Sequence, residues 1–148
     1  MDVLLTFTGF HDPYFKGLVD EEEQPGPILS LLSARTFNQI YLFDTPRTQK
    51  ITLETKESIS RLYQNSHASI VQLKIDDPTD YAQILNSLRT YIPSILEQNR
   101  AARFWIAVAS GTPQMHACWI LLVSNNEIPA QILHVRPPRF VTKEKPIV

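Results

Sequence analysis

Two short polar segments of the sequence carry the groups best suited to binding a phosphorylated ligand. Residues 8–13 read TGFHDP and offer a hydroxyl, an aromatic ring and an imidazole, and residues 110–114 read SGTPQ and offer two hydroxyls. Gly111 lets a ligand approach the backbone closely. Hydroxyls and backbone N–H groups bind phosphate oxygens without a large net charge, and an aromatic ring can stack on a base. The two segments therefore predict a site for phosphates and bases.

Neither segment has the pattern of the common nucleotide-binding loops. Both lack the second and third glycines of G-x-G-x-x-G, and neither has the lysine of a P-loop. These differences disfavour ordinary nicotinamide or flavin binding and nucleoside-triphosphate hydrolysis by a P-loop route. With Cys118 as the single cysteine and four scattered histidines, no zinc pattern is present, so we expect no metal and no cofactor.

Each histidine of this region has two possible roles. His11 stands beside Asp12, where proton transfer near neutral pH is possible, and it is the one catalytic candidate; the alternative is that it only donates a hydrogen bond. His116 falls within about the first turn of a predicted helix, where an imidazolium is disfavoured, so we expect a neutral packed or ligand-facing ring. Gly9 and Gly111 can likewise be plain turn residues.

The elements that position these segments alternate between strand and helix patterns. A buried apolar run ends at each segment, and Ser110 or Thr112 can cap the helix that follows, with Pro113 at its first position. We predict five strands, at residues 3–8, 39–43, 69–75, 104–109 and 130–135, and the clearest helices at residues 27–35, 81–99 and after 112. The acidic segment at 20–26 is predicted to be an exposed loop.

This alternation predicts an α/β fold, a Rossmann-like parallel sheet of about five to six strands with helices on both faces. Such sheets commonly have the strand order 3-2-1-4-5, with a ligand crevice where the order reverses between strands one and four. We therefore expect residues 8–13 and 110–114 to face each other at the carboxyl end of the sheet.

Length and charge restrict the class of protein. The 148 residues, 43% of them hydrophobic, suit one domain with a real core. Fourteen basic residues against 15 acidic ones give no basic field for duplex DNA or an anionic membrane. The N-terminus has no signal-peptide pattern, and the longest uncharged apolar run is far shorter than the roughly 20 residues of a membrane span. We expect a soluble, cytoplasmic protein with no membrane partner.

The pairing of VLLTFTGFHDPY with SGTPQMHACWILL about a hundred residues later resembles the CRISPR-associated Rossmann-fold (CARF) sensor domains. The resemblance covers essentially the whole chain, and its strongest part is the small-residue turn after the fourth strand. Carried over by position, the resemblance implies a ligand-binding site lined by Thr8, Gly9, Phe10, His11, Asp12, Ser110, Gly111, Thr112, Pro113 and Gln114, with His116 as a further residue.

The resemblance implies a homodimer that binds a cyclic oligoadenylate, cyclic tetra- or hexa-adenylate, across its two-fold axis. It further implies allosteric control of a C-terminal effector in type III CRISPR antiviral defence. Residues 1–136 would be the sensor domain and residues 137–148 a connector to an effector domain outside this sequence. Our first choice of dimer surface is the helix after the fourth strand, with Trp119, Ile120 and Val123.

Two alternatives remain open. One is a metal-independent ring nuclease that cleaves the same ligand through the ribose 2′-hydroxyl. Many members of the resembled family carry an additional glycine or a catalytic basic residue near the turn after the fourth strand, whereas SGTPQMH has no Lys or Arg, and Lys16 or Arg47 are the candidates to supply the basic group. The other alternative is a Rossmann-like scaffold that serves dimerisation or partner binding alone.

Overall fold

The computed structural model describes residues 1–16, 23–136 and 140–148, and its centre is a five-stranded parallel sheet. The strands are β1 (Asp2–Phe7), β4 (Gln39–Asp44), β5 (His67–Gln72), β6 (Arg103–Ala107) and β7 (Ala130–Leu133). They lie in the order β5-β4-β1-β6-β7, and all four pairings are parallel. The predicted order 3-2-1-4-5 is thereby confirmed, with β1 at the centre.

Within the described residues, four helices cover the two faces of this sheet: α1 (Pro27–Ala34), α2 (Gln49–Leu62), α3 (Tyr81–Gln98) and α4 (Pro113–Ser124). Successive residues of β1 point to opposite faces, so Val3, Leu5 and Phe7 contact one core cluster and Leu4 the other. The first cluster is completed by α3 and α4, and the second by α1 and α2. Both faces of β1 are therefore buried, which explains why apolar residues occupy consecutive positions from Val3 to Leu5.

Trp119 of α4 is at the centre of the first cluster. Its ring centroid lies 5.5 Å from that of Phe7 and 5.4 Å from that of Phe43, and its side chain is fully buried. Trp119 therefore belongs to the core, and our choice of it for a dimer surface is wrong. On the same helix Ile120 and Leu121 are exposed instead, at 47% and 42% of their surface.

Two local predictions differ from the structure. The third predicted strand begins two residues earlier and ends at Gln72, although Leu73 and Ile75 beyond it are still buried. Residues Glu23–Pro25 of the predicted loop form β3, which pairs antiparallel with β2 (Tyr14–Lys16). The sequence of β3 has low strand propensity, so the pairing with β2 provides the ladder. Residues 20–22 of that predicted loop lie outside the described residues.

The described end of the chain returns to the sheet. Ile147 and Val148 pack on the second cluster, and the Arg136 N–H donates to the Ile147 carbonyl at 2.8 Å. The connector role of residues 137–148 stays a prediction, and residues 137–139 lie outside the described part. Over that part, no helix combines the length and the apolar character that crossing a membrane requires.

Candidate ligand-binding site

A cavity of about 270 Å³ opens at the carboxyl ends of β1, β4 and β6. The loop after β1 and the loop after β6 form two of its walls, and they touch. A Cβ atom on Gly9 would lie 2.8 Å from the Gly111 nitrogen, so only glycine allows this approach. The prediction that the two segments face each other where the strand order reverses is confirmed.

Most of the predicted ligand-binding residues line this cavity: Thr8, Gly9, Phe10, His11, Asp12, Ser110, Gly111 and Thr112. Pro113, Gln114 and His116 do not line it. The His116 ring turns back on its own loop, where Nε2 lies 2.9 Å from the Ser110 carbonyl oxygen. Because a carbonyl only accepts, Nε2 must carry the proton, and His116 orients the loop. Ligand contact by any of these residues stays a prediction.

Asp12 fastens the first loop to the start of α1. Its carboxylate accepts the Gly9 N–H at 3.0 Å and the Ile28 N–H at 3.2 Å. Gly26 leaves the room for this, because a Cβ there would lie 2.0 Å from the His11 carbonyl oxygen. Burial raises the pKa of the Asp12 carboxyl, and the nearby Ser110 hydroxyl and the two N–H groups partly oppose that rise. Asp12 therefore positions the loop.

The threonine hydroxyls of the first wall are engaged by the protein. Thr52 of α2 donates to the Thr48 carbonyl at 2.7 Å, so its oxygen is left to accept from Thr8 at 2.7 Å. Thr8 therefore donates its only hydroxyl proton to another side chain of the protein. A ligand at this point would find an acceptor rather than a donor.

Thr112 is likewise committed, as the cap of α4. Its hydroxyl accepts the Met115 N–H at 3.2 Å and donates to the Pro78 carbonyl at 2.7 Å. The predicted alternatives for the cap were Ser110 and Thr112, and the structure selects Thr112, with Pro113 at the first helical position.

The Ser110 hydroxyl lies beside the Asp12 carboxyl. Ser110 is 4% exposed and lines the cavity, and its hydroxyl oxygen has no hydrogen-bond partner of good geometry within the described residues, although it is close enough to Asp12 to lower the pKa of that carboxyl. A buried hydroxyl without a partner costs roughly 1–3 kcal/mol. Next to it, Gly111 has φ +99°, a conformation that L side chains rarely adopt. The turn thus presents an unpaired polar group at the N-terminus of a twelve-residue helix.

A third wall of the cavity comes from the loop after β4, of which the sequence analysis considered only Arg47, as a candidate basic residue for cleavage, and predicted no ligand-binding residue. Thr45, Arg47 and Thr48 line the cavity here. The Thr45 hydroxyl accepts the Arg47 N–H at 3.3 Å and donates no hydrogen bond within the described part of the chain. The DTP turn after the second predicted strand was the available signal, because parallel strands end at the same edge of a sheet.

Among the described lining residues, Arg47 is the permanent cation and Asp12 the acid. Arg47 was one of two basic residues considered for the site, and the structure places it there. The other basic residue is Lys16, whose side chain lies outside the described part of the structure. Within the described residues no three His, Cys, Asp or Glu side chains are grouped to hold a metal ion.

Two aromatic side chains stand at the mouth of the cavity. Phe10 is 72% exposed, and the exposed His11 ring stacks on Phe15 with centroids 5.1 Å apart. An exposed phenylalanine at the mouth of the cavity is available for stacking on a base, which is worth roughly 1–3 kcal/mol. His11 contacts no carboxylate by hydrogen bond in the described structure, and its catalytic role stays a prediction.

Comparison with known proteins adds the family and the fold. The sequence matches the family model described as RtcR, Regulator of RNA terminal phosphate cyclase, over residues 22–147. No match is found among curated proteins.

Solved structures that share the fold include three with the following likeness to this chain. Enterococcus italicus Csm6 bound to cyclic hexa-2′-fluoro-hexa-dAMP has a TM-score of 0.79 at 19% identity, covering 97% of this chain and 35% of that one. Can2 from Sulfobacillus thermosulfidooxidans in complex with cyclic tetra-adenylate has 0.63 at 17% identity, covering 92% and 32%. A type III CRISPR defence DNA nuclease activated by cyclic oligoadenylate has 0.52 at 18% identity, covering 80% and 16%.

The chain thus spans about a third or less of the length of these proteins. The likeness to them confirms the CARF fold that the two loop motifs indicated. Since the family model covers far more than half of the sequence, the chain belongs to the RtcR family, described as Regulator of RNA terminal phosphate cyclase, and has the CARF fold.

Proposed function

We propose that this domain is a sensor that binds a cyclic oligoadenylate in the cavity between the loops after β1, β4 and β6. The observation that carries the proposal is the buried, unpartnered Ser110 hydroxyl beside the N-terminus of α4. A helix N-terminus favours an anion, and an unpaired buried hydroxyl gains a hydrogen bond when a phosphate oxygen arrives. Arg47 and the Thr45 hydroxyl supply a cation and a second donor on the opposite wall.

The size of the cavity supports a ligand shared by two copies of the chain. At about 270 Å³ it is at the lower limit of small-molecule sites, roughly 300–1,000 Å³. One cavity therefore suits part of a ring of four or six nucleotides. A homodimer would present each cavity twice, which matches the symmetry of such a ring.

The output of the sensor is proposed from its relatives. The family description names a regulator, which favours control of a regulatory domain elsewhere in a longer protein. The solved structures support a cyclic oligoadenylate as the ligand and a role in type III CRISPR defence. The same family description names an enzyme of RNA termini, so a linear oligoadenylate is the competing ligand.

The test is a titration of the purified domain with cyclic tri-, tetra- and hexa-adenylate and with linear oligoadenylates of equal length. We expect one ring to raise the melting temperature, with the linear chains much weaker. Ser110→Ala should remove this shift, while Ser124→Ala, an exposed serine at the end of α4, should retain it. A wild-type domain unaffected by every ring would refute the proposal, and a stronger shift with linear chains would assign the ligand to RNA ends.

Arg47 favours one second candidate, the metal-independent ring nuclease. Arg47 lines the cavity, and its guanidinium would stabilise charge that develops on a phosphate during cleavage. Cleavage of the ring without magnesium, abolished in Arg47→Gln and retained in Arg61→Gln, would support this activity. Arg61 is an exposed residue of the last turn of α2 and controls for the loss of one charge. Intact ligand after prolonged incubation would leave sensing alone.

A further inference from the structure

A second cavity adjoins the first. It measures about 330 Å³ and lies at the carboxyl ends of β6 and β7, beside the start of α1. His11, Pro27 and Ala109 line both cavities, so a single layer of residues separates them. A ligand longer than one nucleotide that enters the first cavity therefore reaches the second without leaving the surface.

The lining of this second cavity is cationic and aromatic. Its described residues include Arg136, His134 and His11, and none of them carries a carboxylate. Phe15, stacked on His11 at 5.1 Å, forms a flat apolar wall with Val108. A cation beside an aromatic wall is the combination that binds a phosphate and a base together.

Arg136 is held at this position by the end of the chain. Its Nη1 donates to the Pro146 carbonyl at 2.8 Å, and its backbone N–H donates to the Ile147 carbonyl at 2.8 Å. A guanidinium has five N–H donors, and no other hydrogen bond from this one is found among the described residues. The side chain is therefore oriented and still has donors for a phosphate.

We propose that the second cavity is a subsite for the adjacent nucleotide of the same oligoadenylate, with its phosphate on Arg136 and His134 and its base against Phe15. This rests on the proposed function. One protomer would then hold two consecutive nucleotides, one in each cavity.

The four histidines of the chain allow each region to be observed separately. His134 reports on the second cavity, His116 reports on the first through its bond to Ser110, and His11 stands between them. His67 begins β5 at the opposite end of the sheet and is the internal control. The experiment is a ¹H–¹³C NMR titration of the imidazole signals of the wild-type domain with cyclic tri-, tetra- and hexa-adenylate in turn.

We expect the signals of His134, His11 and His116 to move together while that of His67 stays unchanged. Arg136→Gln keeps a donor for the Pro146 carbonyl and removes the charge. It should weaken binding at least about tenfold, as expected for loss of a hydrogen bond to a charged group, and reduce the His134 shift at saturation. Arg61→Gln, which loses a charge far from either cavity, should bind as wild type.

The outcomes separate the two proposals. If His116 moves and His134 does not, or if Arg136→Gln binds within twofold of wild type, the subsite is refuted and the proposed function stands. If no imidazole signal moves with cyclic tri-, tetra- or hexa-adenylate at any concentration, both are refuted. The wild-type titration alone decides the occupancy of the second cavity, so the result does not depend on how well a variant folds.

Discussion

The hydroxyl groups around the first cavity divide into two kinds. Thr8 and Thr112 spend their protons on protein acceptors, Thr52 and the Pro78 carbonyl. The hydroxyl protons of Ser110 and Thr45 form no hydrogen bond of good geometry within the described residues. Side chains that look equivalent in sequence therefore differ in what they offer a ligand, and substitutions at the two kinds of position should separate binding from stability.

Gly111 cannot be replaced without strain. Its φ of +99° is unfavourable for any L side chain, and a Cβ atom would lie 2.8 Å from the Met115 sulfur. We expect Gly111→Ala to lower the free energy of unfolding by about 1–3 kcal/mol, measured by urea denaturation. A loss below about 0.5 kcal/mol, the range of ordinary surface changes, would contradict this account of the turn.

Asp44 predicts a pH dependence of stability. Burial raises the pKa of its carboxyl to about 6, and Oδ1 has no hydrogen-bond partner among the described residues. The unfolded chain releases this proton near pH 4, so the folded state binds the proton more tightly between these two values. The contribution of Asp44 to stability therefore falls as the pH rises from about 4 to about 6 and stays low above that.

The measurement is the free energy of unfolding of wild type and Asp44→Asn at pH 4.5 and pH 7.5. From pH 4.5 to pH 7.5 we expect the free energy of unfolding of wild type to fall, relative to that of the variant, by on the order of 1–3 kcal/mol. Asp76→Asn, at an exposed position, serves as the control. A difference between variant and wild type that is independent of pH would show that Asp44 titrates as it does in the unfolded chain.

At the scale of elements, the site is made by strand ends and helix starts. The loop after β6 is fixed by the cap of α4, and the loop after β1 is fixed to α1 through Asp12. The loop after β4 is closed on itself, because the Thr48 hydroxyl accepts the Thr45 N–H at 3.0 Å. Each wall is therefore ordered before a ligand arrives.

The cap of α4 gives a prediction that pairs two neighbouring residues. Thr112→Ala removes one bond to the Met115 N–H and one to the Pro78 carbonyl, and should cost about 1–2 kcal/mol of stability. Ser110→Ala removes a hydroxyl that has no hydrogen-bond partner and should leave stability unchanged or raise it by up to about 1–3 kcal/mol. Thermal unfolding of both variants without ligand provides the comparison. Equal losses in the two variants would show that Ser110 has a structural partner.

At the scale of the molecule, the exposed apolar surface of α4 is our choice for the proposed dimer contact. Ile120 and Leu121 lie exposed on the helix whose N-terminus forms the site. Burying them between two copies would bring two cavities together and recover roughly 25 cal/mol for each Å² of apolar surface. This choice replaces the surface centred on Trp119.

Sedimentation velocity tests this dimer. We expect wild type to be dimeric and the double variant Ile120→Glu, Leu121→Glu to be monomeric with a weakened affinity for cyclic oligoadenylate. Leu53→Glu, at an exposed position of α2, should remain dimeric. A double variant that still dimerises would place the contact on another face, and a wild-type monomer that binds the ring at full affinity would remove the need for a dimer.

Much of the fold follows from local pattern. Apolar runs such as 104–109, followed by small and turn-forming residues, predicted the positions of the strands. Their alternation with helices predicted a parallel sheet with the order 3-2-1-4-5, which the structure has. Thr112 and Pro113 marked the start of α4 because cap preferences act within one turn. The two loops at the reversal of strand order were also identified from local pattern, because their turn-forming residues directly follow apolar runs.

Tertiary structure decided what depends on neighbours distant in sequence. The pairing of β2 with β3, the burial of Trp119 and the third wall at Thr45 and Arg47 required the assembled sheet. The sequence by itself determined which segments end at the ligand edge, since periodicity and turn chemistry are local. Only the folded chain decided which hydroxyls remain free there, because a hydrogen bond such as that from Thr8 to Thr52 joins residues 44 positions apart.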